Sequence, residues 1–224
     1  MGRGRDSPIC LSTERGKIQL EQNAGFKNTT GSQNGFFGNF AGFNNTTGGN
    51  NAFFGSGVGS QNTTAVDNAF FGGGAGASNT TGDENTFVGG ASGSGNTTGS
   101  RNTFIGKFAG FNSINPTGDG NTLLGAYARA NSGVSNATAI GSRALVMQSN
   151  SLVLGSINGM NGAPADTNVG IGTNAAKTKL HVTNGKIYVE ANGQGVILKS
   201  PGGVCFELTV TDAGALTTAV VACP

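Results

Sequence analysis

Through much of the chain, apolar residues occur in short pairs, each followed by a glycine and separated from the next pair by a longer polar stretch. An asparagine precedes each pair and returns at a step of 17 residues, at Asn34, Asn51, Asn68, Asn85 and Asn102. A second marker, Asn-Thr-Thr, keeps the same step and phase, beginning at Asn28, Asn45, Asn62, Asn79 and Asn96. Two markers in phase indicate an internal structural repeat.

Each repeat predicts one coil of a parallel β-solenoid, with a strand, a glycine turn, a second short strand and an Asn-Thr-Thr turn. The apolar runs are too short for helical periodicity, and glycine and asparagine suit sharp turns. Successive coils would stack about 4.8 Å apart, the spacing of paired strands. The glycines after the next pairs are Gly106, Gly125, Gly141 and Gly155, so the coil lengthens to 19 residues and then shortens to 16 and 14.

Stacked coils place equivalent residues in columns. The first apolar residues of the pairs form one column and the second residues form another: Phe36, Phe53, Phe70, Phe87, Phe104 and Leu123 against Phe37, Phe54, Phe71, Val88, Ile105, Leu124 and Ile140. Adjacent side chains of a strand point to opposite faces, so a single coil hides only one column. Which residue of a pair lies inside is left open. The other column would form a long exposed apolar stripe, which predicts an oligomer whose axis follows the solenoid.

The repeated asparagines predict a ladder in which each side-chain amide bonds to the equivalent side-chain amide of the next coil. Its members are Asn34, Asn51, Asn68, Asn85, Asn102 and Asn121. The threonines of the Asn-Thr-Thr turns form regular rows as well. A structural role at strand edges and turns is favoured for them over binding of ice or of a repetitive polysaccharide.

The stretch NATAIGSRALVMQSNSLVLGSI, from Asn136 to Ile157, resembles the YadA-like head of trimeric autotransporter adhesins. Those heads repeat an Ala-Ile-Gly-x-x-Ala element, matched here from Ala139 to Ala144, at a spacing of 14 residues. The resemblance implies a left-handed parallel β-roll assembled as a homotrimer. The upstream 17-residue units look like a longer variant of the same coil.

Four regions are predicted along the chain. Residues 1–22 form an N-terminal segment or cap, 23–157 the β-roll, 158–184 a linker and 185–224 a small C-terminal β-domain. The linker resembles segments of phage tail fibres that join a roll to another trimeric element. The C-terminal region alternates apolar and polar residues as strands do, and it would cap or extend the trimer.

Composition and charge exclude several classes of function. Charged residues are 11% of the chain and the formal net charge is +2, so no basic stripe for nucleic acid is expected. No apolar run reaches the roughly 18 residues that span a bilayer. Cys205 and Cys223 flank an apolar hairpin-like region and predict a disulfide and an oxidising compartment, with two buried thiols as the alternative. Cys10 is left over, either free or linking subunits.

The sequence offers no catalytic, metal or cofactor site, and the protein is not expected to be an enzyme. His181 is the single histidine, and it lies in a strand-like Lys-Leu-His-Val segment that favours a structural role. The cysteines and the histidine lack zinc spacing. The glycine-rich run from Gly72 to Gly76 lacks the lysine and helix of a phosphate loop.

The favoured function is an extracellular, adhesin-like trimeric structural rod that mediates surface attachment. One alternative is a self-assembling filament subunit built from trimers joined head to tail. Another is a receptor-binding protein similar to phage tail fibres. The expected partners are copies of the same chain and an extracellular polysaccharide or host-surface ligand, without nucleic acid or a membrane span. The ligand and the secretion route are left open.

Overall fold

The computed structural model describes residues 18–111, 118–187, 189 and 195–224. It is all-β with almost no helix, and it confirms a parallel β-solenoid of about 7 turns with coils of about 17 residues. Cys10, most of the predicted N-terminal cap and the turn at Asn115 to Thr117 lie outside the described residues.

One strand from each coil joins a single nine-stranded parallel sheet. Its members in spatial order are β1 (Ile18–Leu20), β2 (Gly35–Phe37), β3 (Ala52–Phe54), β4 (Ala69–Phe71), β5 (Thr86–Val88), β6 (Thr103–Ile105), β7 (Thr122–Leu124), β9 (Thr138–Ile140) and β11 (Leu152–Leu154). The register pairs equivalent residues of successive coils, such as Phe53 with Phe70 and Phe54 with Phe71. The columns inferred from the repeat are therefore present.

Among the described residues, the second strand expected in every coil forms only near the end of the roll, as β8 (Arg129–Ala130) and β10 (Leu145–Val146). In the 17-residue coils a glycine lies against the phenylalanine ring inside. A Cβ on Gly59 would lie 2.5 Å from the Phe53 ring, so only a glycine in the left-handed conformation fits there. Near the end, the interior residue shrinks to Ala139, and Val146 packs inside from a regular strand.

The core of the roll is a stack of aromatic rings. Phe36, Phe53, Phe70 and Phe87 are fully buried, and the centroids of neighbouring rings from Phe36 to Phe104 are 4.7–5.1 Å apart. Small residues close the opposite wall: Ala41, Val58, Ala75, Ser92 and Ala109. Each buried ring contributes roughly 1.5–3 kcal/mol of transfer free energy. The single chain thus holds a complete core along the roll.

The chain divides into two compact units. The first runs to Val169 and includes Lys177–Lys179 and a 3₁₀ turn at Met160–Gly162; the second contains Gly170–Ala176 and Leu180–Pro224. β12 (Val169–Ile171) and β13 (Leu180–Val182) form a two-stranded sheet. In the second unit β14 (Val196–Lys199), β15 (Cys205–Val210) and β16 (Leu216–Val221) form an antiparallel sheet. The predicted Cys205–Cys223 disulfide is present there.

Candidate functional site

The candidate site is the outer face of the nine-stranded sheet, defined here as the first and third residues of β2–β7, β9 and β11. In each phenylalanine pair, the structure shows that the first residue lies inside the coil. Phe53 is 0% exposed, whereas Phe54 is 37% exposed, and the same division holds for the other phenylalanine pairs. The first residue of each pair fills the coil, and the second belongs to the outer face.

The third residues of these strands form a continuous apolar column on the outer face. They are Phe37, Phe54, Phe71, Val88, Ile105, Leu124, Ile140 and Leu154. The rings are stacked, with centroids 4.5 Å apart between Phe37 and Phe54 and 4.9 Å apart between Phe54 and Phe71. The column is therefore an ordered surface and not a set of separate exposed side chains.

The rest of the outer face is uncharged, and its residues are small except at Leu152 of β11, which is 59% exposed. Beside the apolar column, the first residues of β2–β7 and β9 are Gly35, Ala52, Ala69, Thr86, Thr103, Thr122 and Thr138. The outer face consequently has neither an acidic nor a basic side chain. Parallel sheets are almost always covered on both faces, and a contiguous apolar surface of this length is unusual for a monomer. The outer face is therefore the candidate for an interaction surface.

The predicted asparagine ladder lines a corner of the coil, and its bonds differ from those expected. The Asn51 backbone N–H donates to Asn34 Oδ1 at 3.0 Å, and Asn34 Nδ2 donates to the Gly48 carbonyl at 2.8 Å. This pattern recurs along the column, where a direct bond between side chains joins Asn68 to Asn51. Each asparagine directly precedes a strand of the nine-stranded sheet. Its buried amide therefore links the start of that strand to the backbone of the next coil.

A second ladder, of Asn45, Asn62, Asn79 and Asn96, has the direct side-chain bonds. Asn62 Nδ2 donates to Asn45 Oδ1 at 2.6 Å and to the Ala65 carbonyl at 3.2 Å. The sequence pattern indicated only that these asparagines begin the Asn-Thr-Thr turns. The signal that could have identified them is their 17-residue step combined with a glycine or alanine three positions later, which lets the corner close over the amide.

The threonine rows of the same corners have two different environments. The first threonine is half-buried and its hydroxyl donates to the carbonyl of its equivalent in the next coil, as from Thr46 to Thr63 at 3.0 Å. The second, such as Thr47, is exposed. The first row therefore has a structural function, in agreement with the interpretation favoured from the sequence.

Charged and metal-binding chemistry is sparse in the described part of the chain. No cluster of three or more His, Cys, Asp or Glu side chains occurs among the described residues. His181 lies in β13 with Nε2 at 3.4 Å from the Thr183 hydroxyl. Asp166 accepts a 2.7 Å bond from Lys179 and another from the Asn158 N–H, and these contacts lower the pKa of its carboxyl.

Among the described residues, no helix has both the length and the apolarity needed to cross a membrane. Comparison of the chain with protein-family models, with curated proteins and with solved structures finds no match.

Proposed function

We propose that three copies of this chain assemble through their outer faces into a left-handed β-roll trimer that acts as an extracellular, adhesin-like structural rod. The single observation that carries the proposal is the outer face itself. It is apolar, uncharged and uncovered from β2 to β11. A second copy matches it in length and in the absence of charge, since equivalent columns meet along a common axis under cyclic symmetry.

The number of copies rests on the resemblance of Asn136–Ile157 to YadA-like heads, which are trimers. The shape of the outer face agrees with it. The large side chains occupy one column, flanked by a column of glycine, alanine and threonine. A narrow ridge of this kind suits convergence of several chains on an axis, whereas two broad flat sheets suit a dimer.

The second unit supports self-association independently. The register of β14, β15 and β16 puts Val196, Leu198, Phe206, Leu208, Val210, Leu216, Thr218 and Val220 on one face of the sheet. Most of these side chains are exposed, Leu216 at 70%. A three-stranded sheet needs a covered hydrophobic face to be stable. Equivalent sheets from other copies would supply that cover.

The extracellular location is supported by the Cys205–Cys223 disulfide, because disulfides persist in oxidising compartments. The adhesive role is inferred from the resemblance to adhesin heads. The structural role, as opposed to a catalytic one, is inferred from a surface that consists mainly of repeated turns and ladders.

The mass of the protein in solution tests the assembly. Sedimentation equilibrium should give three times the chain mass of 22.2 kDa. Phe54→Asp should yield a smaller species, because assembly would bury an unpaired carboxylate. The matched control is Thr47→Asp, which adds the same charge at an exposed corner position. A stable wild-type monomer would contradict the proposal.

A second candidate, a filament subunit, is favoured by the position of β1. This strand is the last of the sheet at its end of the described roll. End strands of a solenoid can pair with another chain. Negative-stain images distinguish the two candidates, since discrete short particles support the isolated rod and long fibres support the filament.

A further inference from the structure

A second exposed surface, at the corner that follows each strand of the nine-stranded sheet, carries two groups of aromatic side chains. The corner position three residues after the outer column is occupied in successive coils by Phe40, Gly57, Gly74, Ala91, Phe108 and Tyr127. Backbone bonds keep these residues in one column, as from Phe108 N to the Gly90 carbonyl and from Tyr127 N to the Lys107 carbonyl. The column is therefore aromatic at both ends and small in the middle.

The backbone of this corner does not require an aromatic residue. Phe40, Phe108 and Tyr127 have φ of 57°, 59° and 59°, the left-handed region that large side chains rarely adopt. Gly57 and Gly74 fill the same position with φ of 66° and 68°. Ala91 and Arg143 hold the same position with φ of 54° and 60°, so the conformation belongs to the corner and does not select for an aromatic side chain. Phe40, at 43% exposed, also contributes no buried core.

The first aromatic cluster consists of Phe26, Phe40 and Phe43 with Lys27. Phe26 and Phe43 are stacked with centroids 5.4 Å apart, and Phe40 lies 5.2 Å from Phe43 at a tilt of 59°. Lys27 Nζ lies 5.4 Å above the Phe43 ring and donates to Asn44 Oδ1. Phe26 is 67% exposed. An exposed ring face is thus held beside a cation.

The second aromatic cluster repeats this combination with Phe108, Phe111, Tyr127, Lys107 and Arg143. The Phe108 ring lies 4.9 Å from Phe111 and 5.1 Å from Tyr127. Lys107 Nζ lies 5.2 Å above Phe108, and the Arg143 guanidinium lies 4.8 Å above Tyr127 and donates to the Asn161 carbonyl. Both clusters consequently present rings together with positive charge.

The surface between the clusters consists of small residues at the positions that hold rings in the clusters. At the two corner positions that hold rings in the clusters, the intervening coils have Gly57, Gly74, Ala91, Ser60, Ala77 and Ser94. Phe40 and Phe108 are four coils apart, which is about 19 Å at the spacing of paired strands. At these two described positions, an extended chain molecule lying along the corner therefore meets no large side chain between the clusters.

We infer that the two aromatic clusters bind one strand of an acidic polysaccharide lying along the roll. Ring faces stack on the C–H faces of sugars, and the lysines beside them complement the carboxylates of uronate residues. Exposed rings with cations alone would also suit a protein partner, but the linear separation of the clusters across a floor of small residues favours a regular polymer. This inference specifies the ligand class of the adhesive function proposed above and rests on that proposal.

Glycine substitutions test the inference without disturbing the fold, because glycine is the residue of the intervening coils. Isothermal titration should show that polygalacturonate binds the wild-type protein and that neutral dextran does not. Phe40→Gly and Phe108→Gly should each lower the affinity about three- to tenfold, as expected for one lost stacking contact. Digalacturonate should bind far more weakly than the polymer, since it reaches one cluster only.

Charge is tested by Lys107→Gln, which should weaken binding, against the matched control Arg101→Gln at a different, exposed corner. Unchanged affinity in both glycine variants, or absence of polygalacturonate binding, would overturn the inference. So would a lower molecular mass of the glycine variants, which would make the clusters contacts between copies. The molecular mass is measured on the same samples as the affinity. A monomeric wild-type protein that still binds polygalacturonate would therefore contradict the trimer and leave the ligand inference standing.

Discussion

The β-roll and the C-terminal sheet differ in how far a single chain buries their apolar side chains. Each coil of the roll closes around a phenylalanine such as Phe53, which is fully buried within one chain. In the C-terminal sheet, among the described side chains of β14, β15 and β16, Cys205 alone is buried, at 3% exposure. A closed coil makes its own core, whereas a single-layer sheet needs a second layer. In the proposed assembly, other copies would cover the roll only at its outer face, whereas they would supply the second layer of the whole C-terminal sheet.

The largest effect should come from removing a ring inside the roll. Phe70→Ala should lower the free energy of unfolding by about 3–5 kcal/mol, because it leaves a cavity in a column with rings 4.7–4.8 Å to either side. Phe71→Ala, one residue later on the outer face, should have a smaller effect on unfolding and should weaken self-association. Urea unfolding followed by circular dichroism, combined with sedimentation, separates the two effects.

Phe70→Ala and Phe71→Ala control for each other, since both variants remove the same side-chain atoms. Thr64→Ala, at an exposed corner, serves as the reference for a change without burial. Equal losses of unfolding free energy from Phe70→Ala and Phe71→Ala would contradict the assignment of inside and outside. They would also remove the contrast between a core made within the chain and an interface made between chains.

Reduction of the disulfide should affect the C-terminal sheet and leave the roll folded. Cys205 and Cys223 are 18 residues apart, and the chain-entropy estimate for a loop of this size is about 3 kcal/mol. The double variant Cys205→Ser/Cys223→Ser should accelerate amide exchange in β15 and β16. Hydrogen exchange read by mass spectrometry should show unchanged protection in β3 and β4.

Peptides from the roll are the internal control in that experiment. Loss of protection along β3 and β4 would mean that the two units unfold together. The disulfide would then stabilise the whole chain, and the comparison between a self-sufficient roll and a dependent sheet would be wrong.

The sequence predicted the repeat, the parallel solenoid and the pairing of equivalent residues because each depends on period alone. It could not decide between Phe53 and Phe54 as the interior residue, since alternation specifies opposite faces but not their direction. The structure resolves this through the glycine at position 59, which leaves space for a ring on one side of the coil. A glycine recurs six residues after each interior phenylalanine, at Gly42, Gly59, Gly76, Gly93 and Gly110, and this spacing is the signal that could have identified the interior ring.

The second strand of each coil and the bonding of the asparagines were harder to predict. A strand was expected after every glycine turn, but the interior ring in the 17-residue coils leaves room only for irregular backbone. Asn34 was expected to bond the side chain of Asn51, and its oxygen instead accepts the Asn51 backbone N–H. Both differences arise from the volume and hydrogen-bonding needs of the coil interior, which composition does not reveal. The two aromatic clusters were missed because their members are spread over several coils.

The smallest predicted effect is a pH dependence at the C-terminal end of the first unit. The bond from Lys179, followed by that from the Asn158 N–H, holds the pKa of the Asp166 carboxyl below its ordinary value. A lowered pKa in the folded state means that the ionised group stabilises the fold above its ordinary pKa, and that this contribution disappears as the pH falls through the lowered value. Asp166 is exposed, so the change should be slight and confined to the segment around Asn158. The protection factor of the Asn158 amide, which corrects for the slower intrinsic exchange in acid, should fall with pH in the wild-type protein and should not do so in Asp166→Asn. Asp212→Asn in the second unit should behave as the wild type. An acid response at Asn158 that persists in Asp166→Asn would mean that another group controls this end of the roll.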